Sequence, residues 1–210
     1  MFVPKRAYNA IMTVNEQYDR EVLENWVWNF TAEKDTELNF QVGGLEIYNL
    51  HAWQNNGGGP TMFFVFRPMS VHRGNLIDKN KDGTVDEQER KESRLDLTLA
   101  EFKMNPYSGI APRLDENKPK VFLNGEELKV VSAAPFPEYV GAEGANDFYQ
   151  TGYVIQALRG KSRVGPGYHI VRVVIEDALD YEGKMLTEKG EAFYFWRQEG
   201  NIYSVRKYGY

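Results

Sequence analysis

Alternating apolar and polar residues recur along the chain and predict strands. Residues 45–53 alternate, and residues 62–66 (MFFVF) form a short apolar run that is typical of a buried strand. Residues 121–131 contain two strand-like segments joined by Asn124-Gly125, a dipeptide that favours a tight hairpin turn. The same reasoning predicts further strands at residues 95–104, 148–158, 168–175, 192–197 and 202–207. This spacing of short strands is typical of an antiparallel β-sandwich.

The segment of residues 8–30 fits two patterns. Every fourth residue of 18–30 is apolar, as on one face of an amphipathic helix that begins after Asn15. Alternate residues of 26–30 also suit a strand, and the alternation resumes at residues 38–42 after a polar turn. We expect a helical or irregular entry followed by a hairpin.

A twelve-residue segment, 78–89, breaks this β pattern with a regular series of oxygen-bearing residues. Gly83 stands at its sixth position, where the chain must turn sharply. Side-chain oxygens at the first, third, fifth, ninth and twelfth positions, with a backbone carbonyl at the seventh, make up the six to eight hard ligands that calcium prefers. These residues are Asp78, Asn80, Asp82, Thr84, Asp86 and Glu89. Magnesium is disfavoured because it demands a tighter octahedral shell.

The segment resembles the calcium loop of EF-hand and dockerin proteins over all twelve residues. The resemblance implies direct side-chain ligands at the first, third and fifth positions, the Thr84 carbonyl, Asp86 directly or through a water, and Glu89 with both oxygens. Residues 86–93 predict a short helix after the loop, acidic at its start and basic near its end. Pro68 and Gly74 bracket too few residues for a helix before it. We therefore expect a calcium clamp that stiffens an insertion, rather than a switch.

A proline-rich segment at residues 105–120 indicates a linker between two parts of the chain or a long crossover. We predict a β-rich region at 1–112, with the calcium-loop insertion at 74–94, and a second domain at 113–210. In the second domain, residues 120–125, the Pro-Gly turn before residues 168–177 and the aromatic run at 194–196 resemble bacterial immunoglobulin-like or fibronectin-type modules of surface proteins. That resemblance, over about residues 113–200, implies an immunoglobulin-like sandwich without an active site.

Composition narrows the choice of partners and compartment. The 210 residues carry a formal charge of −5 without a basic patch, which argues against nucleic acid, and no apolar run is long enough for membrane insertion. The absence of cysteine excludes disulfides and thiolate chemistry. A weak calcium site suits an extracellular, cell-surface or periplasmic location, since extracellular modules bind calcium at about 10⁻⁴–10⁻³ M. Residues 1–17 lack a signal-like apolar run, so we expect a signal removed beforehand or export with a partner.

No pattern for catalysis is evident. His51, His72 and His169 are far apart in sequence, no nucleophile-elbow motif occurs, and Asp177 and Asp180 suit a turn. The leading hypothesis is a non-enzymatic, calcium-stabilised structural or adhesive module of a surface layer, filament or extracellular complex, with protein partners or self-assembly. Alternatives are a non-catalytic subunit of an extracytoplasmic enzyme complex and a carbohydrate-binding module. Candidate sugar-stacking residues for the latter are Trp26, Trp28, Trp53 and Tyr153.

Overall fold

A computed structural model describes residues 8–14, 16–31, 35–54, 60–81, 84–115, 118–159 and 166–198. Within these residues, nine strands and three short helices follow one another along the chain. The strands are β1 Tyr8–Met12, β2 Asn25–Phe30, β3 Leu45–Gln54, β4 Thr61–Ser70, β5 Lys120–Leu123, β6 Glu126–Glu143, β7 Asn146–Leu158, β8 Gly167–Tyr181 and β9 Lys184–Gln198. The helices are α1 Val71–Ile77, α2 Glu87–Ser93 and α3 Leu99–Met104. The prediction of a mostly β protein is confirmed.

All nine strands belong to one sheet, in the order β1-β2-β9-β8-β5-β6-β7-β4-β3. Strands β2 and β9 pair in parallel and the other neighbours pair antiparallel, so the sheet is mixed. The sheet curls until its β3 edge packs against β9 and β2. At this contact Gly190 lies directly against the backbone of Leu45. Strands from both sides of residue 112 therefore contribute to one sheet.

The curl encloses the main hydrophobic core, and a smaller cluster lies on the opposite face of β9. Alternation along β9 divides its side chains, with Ala192 and Trp196 in the main core and Phe193 and Phe195 in the smaller cluster. Residues 35–43 run across this second face, where Leu38 and Phe40 pack on the cluster. This segment has no strand pairing, so the predicted hairpin that included residues 38–42 is wrong.

The longer strand predictions are confirmed. Strands β3, β4, β7, β8 and β9 contain the predicted segments, and β5 and β6 form the predicted hairpin. Its turn residues have positive φ, 51° at Asn124 and 86° at Gly125, as a tight primed turn requires. The predicted strand at 202–207 lies outside the described residues.

One sequence prediction gave the wrong element, and one pair of open alternatives is decided by the structure. Residues 95–104 were expected as a strand, but they contain α3, because the Thr98 side chain caps the Glu101 N–H while the Glu101 side chain accepts the Thr98 N–H. Residues 16–24 form turns and an isolated bridge, which is the irregular alternative rather than the amphipathic helix. In the second case the strand alternation at Asn25–Phe30 decides the structure, because pairing with β1 and β9 buries that segment.

Candidate metal centre

The segment of residues 78–89 is preceded as well as followed by a helix. Helix α1 ends at its C-cap Asp78, and α2 begins after its N-cap Asp86. The short helix predicted after the loop is confirmed, whereas the prediction that no helix precedes it is wrong. The Ser70 side chain accepts the Arg73 N–H and starts α1, which contains Gly74 although glycine costs about 1 kcal/mol relative to alanine in a helix.

Asp86 and Glu89, the ninth and twelfth residues of the segment, are locked together by a capping box. The Glu89 N–H donates to Asp86 Oδ1 at 2.8 Å, and the Asp86 N–H donates to Glu89 Oε2 at 3.1 Å. These bonds satisfy amide groups that the start of a helix leaves free. They also fix the positions of two predicted ligands relative to each other.

The other oxygen of Glu89 faces the beginning of the segment. Glu89 Oε1 accepts the N–H groups of Lys79 at 2.9 Å and Asn80 at 3.4 Å. Glu89 is only 7% exposed, although it belongs to a short polar helix. One buried carboxylate thus draws the two ends of the twelve-residue segment together.

The donor chemistry fits calcium. The six predicted ligands offer only carboxylate, amide and carbonyl oxygens, which hard divalent cations prefer. Asp82, together with Gly83, lies outside the described residues, so the geometry concerns the remaining five. Within the described ranges, no group of three or more His, Cys, Asp or Glu residues is arranged around a common point for a metal. A metal bound in this segment would use the Glu89 carboxylate as one of its ligands.

Helix α1 is attached to the sheet through the buried carboxylate of Glu188 on β9. The Ser70 hydroxyl donates to Glu188 Oε2 at 2.6 Å, and His72 Nδ1 lies 2.6 Å from Glu188 Oε1. The Glu188 side chain is 1% exposed. A buried carboxylate needs such partners because its desolvation costs several kcal/mol.

A second buried carboxylate, Asp177 on β8, holds the next residue of α1. The Arg73 guanidinium donates to Asp177 Oδ2 at 2.5 Å, and Lys118 Nζ donates to Asp177 Oδ1 at 2.8 Å. The sequence suggested a turn for Asp177, but it lies within β8 and is only 4% exposed. The start of α1 is therefore fixed to the sheet at two points.

The residues predicted to stack on sugars are mostly packed inside the protein. Tyr153 and Trp28 are buried, and Trp26 stacks on Trp28 with ring centroids 4.5 Å apart. The Tyr153 hydroxyl donates to the Pro112 carbonyl at 2.9 Å. Trp53 is 43% exposed and lies parallel to Phe63. Of these four aromatics, only Trp53 presents a large surface to solvent.

Glu46 on β3 is a buried acid that the sequence interpretation did not single out. Its carboxylate accepts a hydrogen bond from Trp26 Nε1 at 2.6 Å. Burial raises the pKa of Glu46 to about 7, and the nearby charge of Glu24 acts in the same direction. The available signal was a glutamate between two apolar residues at the start of a strand, Leu45 and Ile47.

No protein-family model matches this chain, and no curated protein or solved structure is significantly similar to it. No helix in the described part of the chain is long and apolar enough to cross a membrane.

Proposed function

We propose that the protein is a calcium-stabilised structural or adhesive module of a surface layer, filament or extracellular complex. The observation that carries the proposal is the position of Glu89. Its buried carboxylate closes a twelve-residue segment in which the remaining predicted ligands are spaced as in a calcium loop. The proposal includes two further points. Residues 78–89 are a calcium loop of the EF-hand or dockerin type, and the β-rich fold is an immunoglobulin-like sandwich.

The loop acts as a clamp on the insertion. A sensor pair of helices must change its interhelical angle to expose a groove. Here α1 is held to the sheet through Glu188 and Asp177, and both carboxylates are buried. Movement of α1 would separate these charges from their partners, which costs about 3–5 kcal/mol for a buried pair. Calcium therefore stiffens the insertion and leaves the helices in place.

Calcium chemistry also supports the proposed location outside the cytosol. A calcium loop of this kind binds calcium with a dissociation constant of about 10⁻⁴–10⁻³ M, which is the range found in extracellular modules. Such a protein is filled with calcium outside the cell, and the insertion becomes rigid there. Rigid, ion-filled insertions suit contacts with protein partners or with further copies of the same chain.

The experiment is sedimentation analysis of the purified chain at high concentration, in about 5 mM calcium and in chelator. The proposal predicts assembly in calcium, dissociation in chelator, and loss of assembly in the Glu89→Gln variant. Glu92→Gln is the matched control, because Glu92 lies on the same helix but is exposed and paired with Lys79. A chain that stays monomeric in both solutions contradicts the self-assembly form of the proposal.

A further inference from the structure

A cleft of about 630 Å³ lies on the face of the sheet opposite the main core. One wall is formed by residues 37–39 and the other by the Asn124-Gly125 turn, while β8 forms the floor. Binding sites for small molecules have volumes of about 300–1,000 Å³, and this cleft falls within that range. The cleft is separate from the residues of the calcium loop.

Aromatic side chains supply the apolar surface of the cleft. Phe122 and Phe193 contribute to its lining, and the Arg172 guanidinium lies against both rings, 5.4 Å and 5.9 Å from their centroids. Tyr168 also lines the cleft, and Arg197 lies against its ring. Flat aromatic surfaces of this kind pack well against the C–H face of a pyranose ring.

The charge of Arg172 is balanced within the wall of the cleft. Arg172 donates through Nε and Nη2 to Glu191 Oε2, at 2.8 Å and 2.5 Å. The Glu191 side chain is 2% exposed, and its second oxygen accepts the Gln41 N–H at 2.6 Å. The guanidinium is therefore fixed in place, and its Nη1 edge lies outside the pair with Glu191. The wall offers a hydrogen-bond donor without a net positive charge.

Asn124 provides a second fixed polar group at the rim. Its Oδ1 accepts the Ile170 N–H at 3.0 Å, and its Nδ2 lies 2.9 Å from His169 Nδ1. Glu37 and Asn39 line the opposite wall. Planar amide, imidazole and guanidinium groups that are held by such bonds can pair with hydroxyls without first losing conformational freedom.

We propose that this cleft binds a neutral oligosaccharide. Apolar ring faces would pack against Phe122 and Tyr168, while sugar hydroxyls would pair with Arg172 and Asn124. A phosphorylated or carboxylated ligand fits less well, because Glu191 neutralises Arg172 and Glu37 adds a carboxylate at the rim. The inference does not depend on calcium binding.

Calorimetric titration tests the inference with six neutral hexasaccharides: maltohexaose, cellohexaose, xylohexaose, mannohexaose, hexa-N-acetylchitohexaose and laminarihexaose. Oligogalacturonate serves as the charged counterpart. We expect at least one neutral sugar to bind, and Tyr168→Ala to weaken it by about tenfold or more, since that loss corresponds to one aromatic contact. Asn124→Gly should also weaken binding, and it preserves the turn because glycine adopts positive φ without cost.

Tyr139→Ala is the control, because Tyr139 is an exposed aromatic outside the cleft. It should leave sugar binding unchanged, and thermal melting verifies that each variant is folded. The inference is overturned if no neutral hexasaccharide binds at a sugar concentration of about 10 mM. That concentration is about ten times the dissociation constant of a millimolar site. It is also overturned if Tyr139→Ala abolishes binding while Tyr168→Ala retains it, or if oligogalacturonate binds more tightly than every neutral sugar.

Discussion

Asp177 and Glu188 lie directly opposite each other on neighbouring antiparallel strands, and both side chains are buried. Like charges in this position repel each other and destabilise a sheet. Here each carboxylate has its own partners, Arg73 with Lys118 for Asp177, and Ser70 with His72 for Glu188. Since Ser70, His72 and Arg73 belong to the start of α1, the insertion is part of the charge balance of the sheet.

Arg73→Gln should destabilise the protein by about 2–4 kcal/mol, because it leaves the buried Asp177 carboxylate with Lys118 alone. Urea unfolding measures the change. The double variant Arg73→Gln/Asp177→Asn should lose less than the sum of the two single variants, since the removed charges were partners. Additive losses would contradict the pairing.

Arg90→Gln provides the matched control for Arg73→Gln. Arg90 pairs with Asp96, but its side chain is 50% exposed. An ion pair in solvent contributes about 1 kcal/mol or less. An equal loss of stability in both variants would show that burial does not decide the effect.

Glu46 should make stability depend on pH in the neutral range. Burial raises its pKa from the ordinary 4.5 to about 7, so between these values the folded chain binds more protons than the unfolded chain. This contribution to stability is fully present below about pH 4.5 and is lost as the pH rises through about 7. The difference corresponds to about 3 kcal/mol, at 1.36 kcal/mol for each unit of pKa.

Urea unfolding at a series of pH values measures this contribution. Glu46→Gln should flatten the stability profile across the interval, because glutamine does not titrate. Glu143→Gln is the control, since Glu143 is exposed at the end of β6 and should leave the profile unchanged. The same slope in Glu46→Gln and the unchanged protein would show that Glu46 does not carry the effect.

Gly190→Ala tests the close contact that the curl of the sheet produces. A Cβ at Gly190 would overlap the carbonyl and side chain of Leu45 on β3. Overpacking of this kind costs about 1–3 kcal/mol, and we expect the upper end because one of the atoms is backbone. Thermal and urea unfolding give the value.

Gly141→Ala is the matched glycine control for Gly190→Ala, because a Cβ there has nothing within 4 Å. We expect a change of less than about 1 kcal/mol. If both variants unfold alike, β3 does not pack against β9 as described.

The alternation of apolar residues was sufficient to predict the long strands and the Asn124-Gly125 hairpin, because these depend on local pattern and turn chemistry. It failed at residues 95–104, where the Thr98 and Glu101 capping box, readable as a four-residue motif, outweighs a weak alternation. The parallel pairing of β2 with β9 joins residues more than 160 positions apart, and no local pattern specifies it.

The candidate metal centre could likewise be predicted from the sequence only in part. The ligand spacing of residues 78–89 is a local motif and could be recognised from sequence. The contacts of Glu89 with the backbone of Lys79 and Asn80 depend on how the two helices meet. The ion pair of Arg73 with Asp177 spans 104 positions, and only the folded sheet brings those residues together.

Calorimetric titration of the purified chain with calcium is the most direct test of the proposed clamp. The account predicts one ion per chain, a dissociation constant of about 10⁻⁴–10⁻³ M, and a melting temperature that rises with calcium. Glu89→Gln should abolish binding while preserving the capping box, since glutamine also serves at that position. Glu92→Gln should bind as the unchanged protein does. An absence of binding, or equal binding by Glu89→Gln, would contradict the central claim.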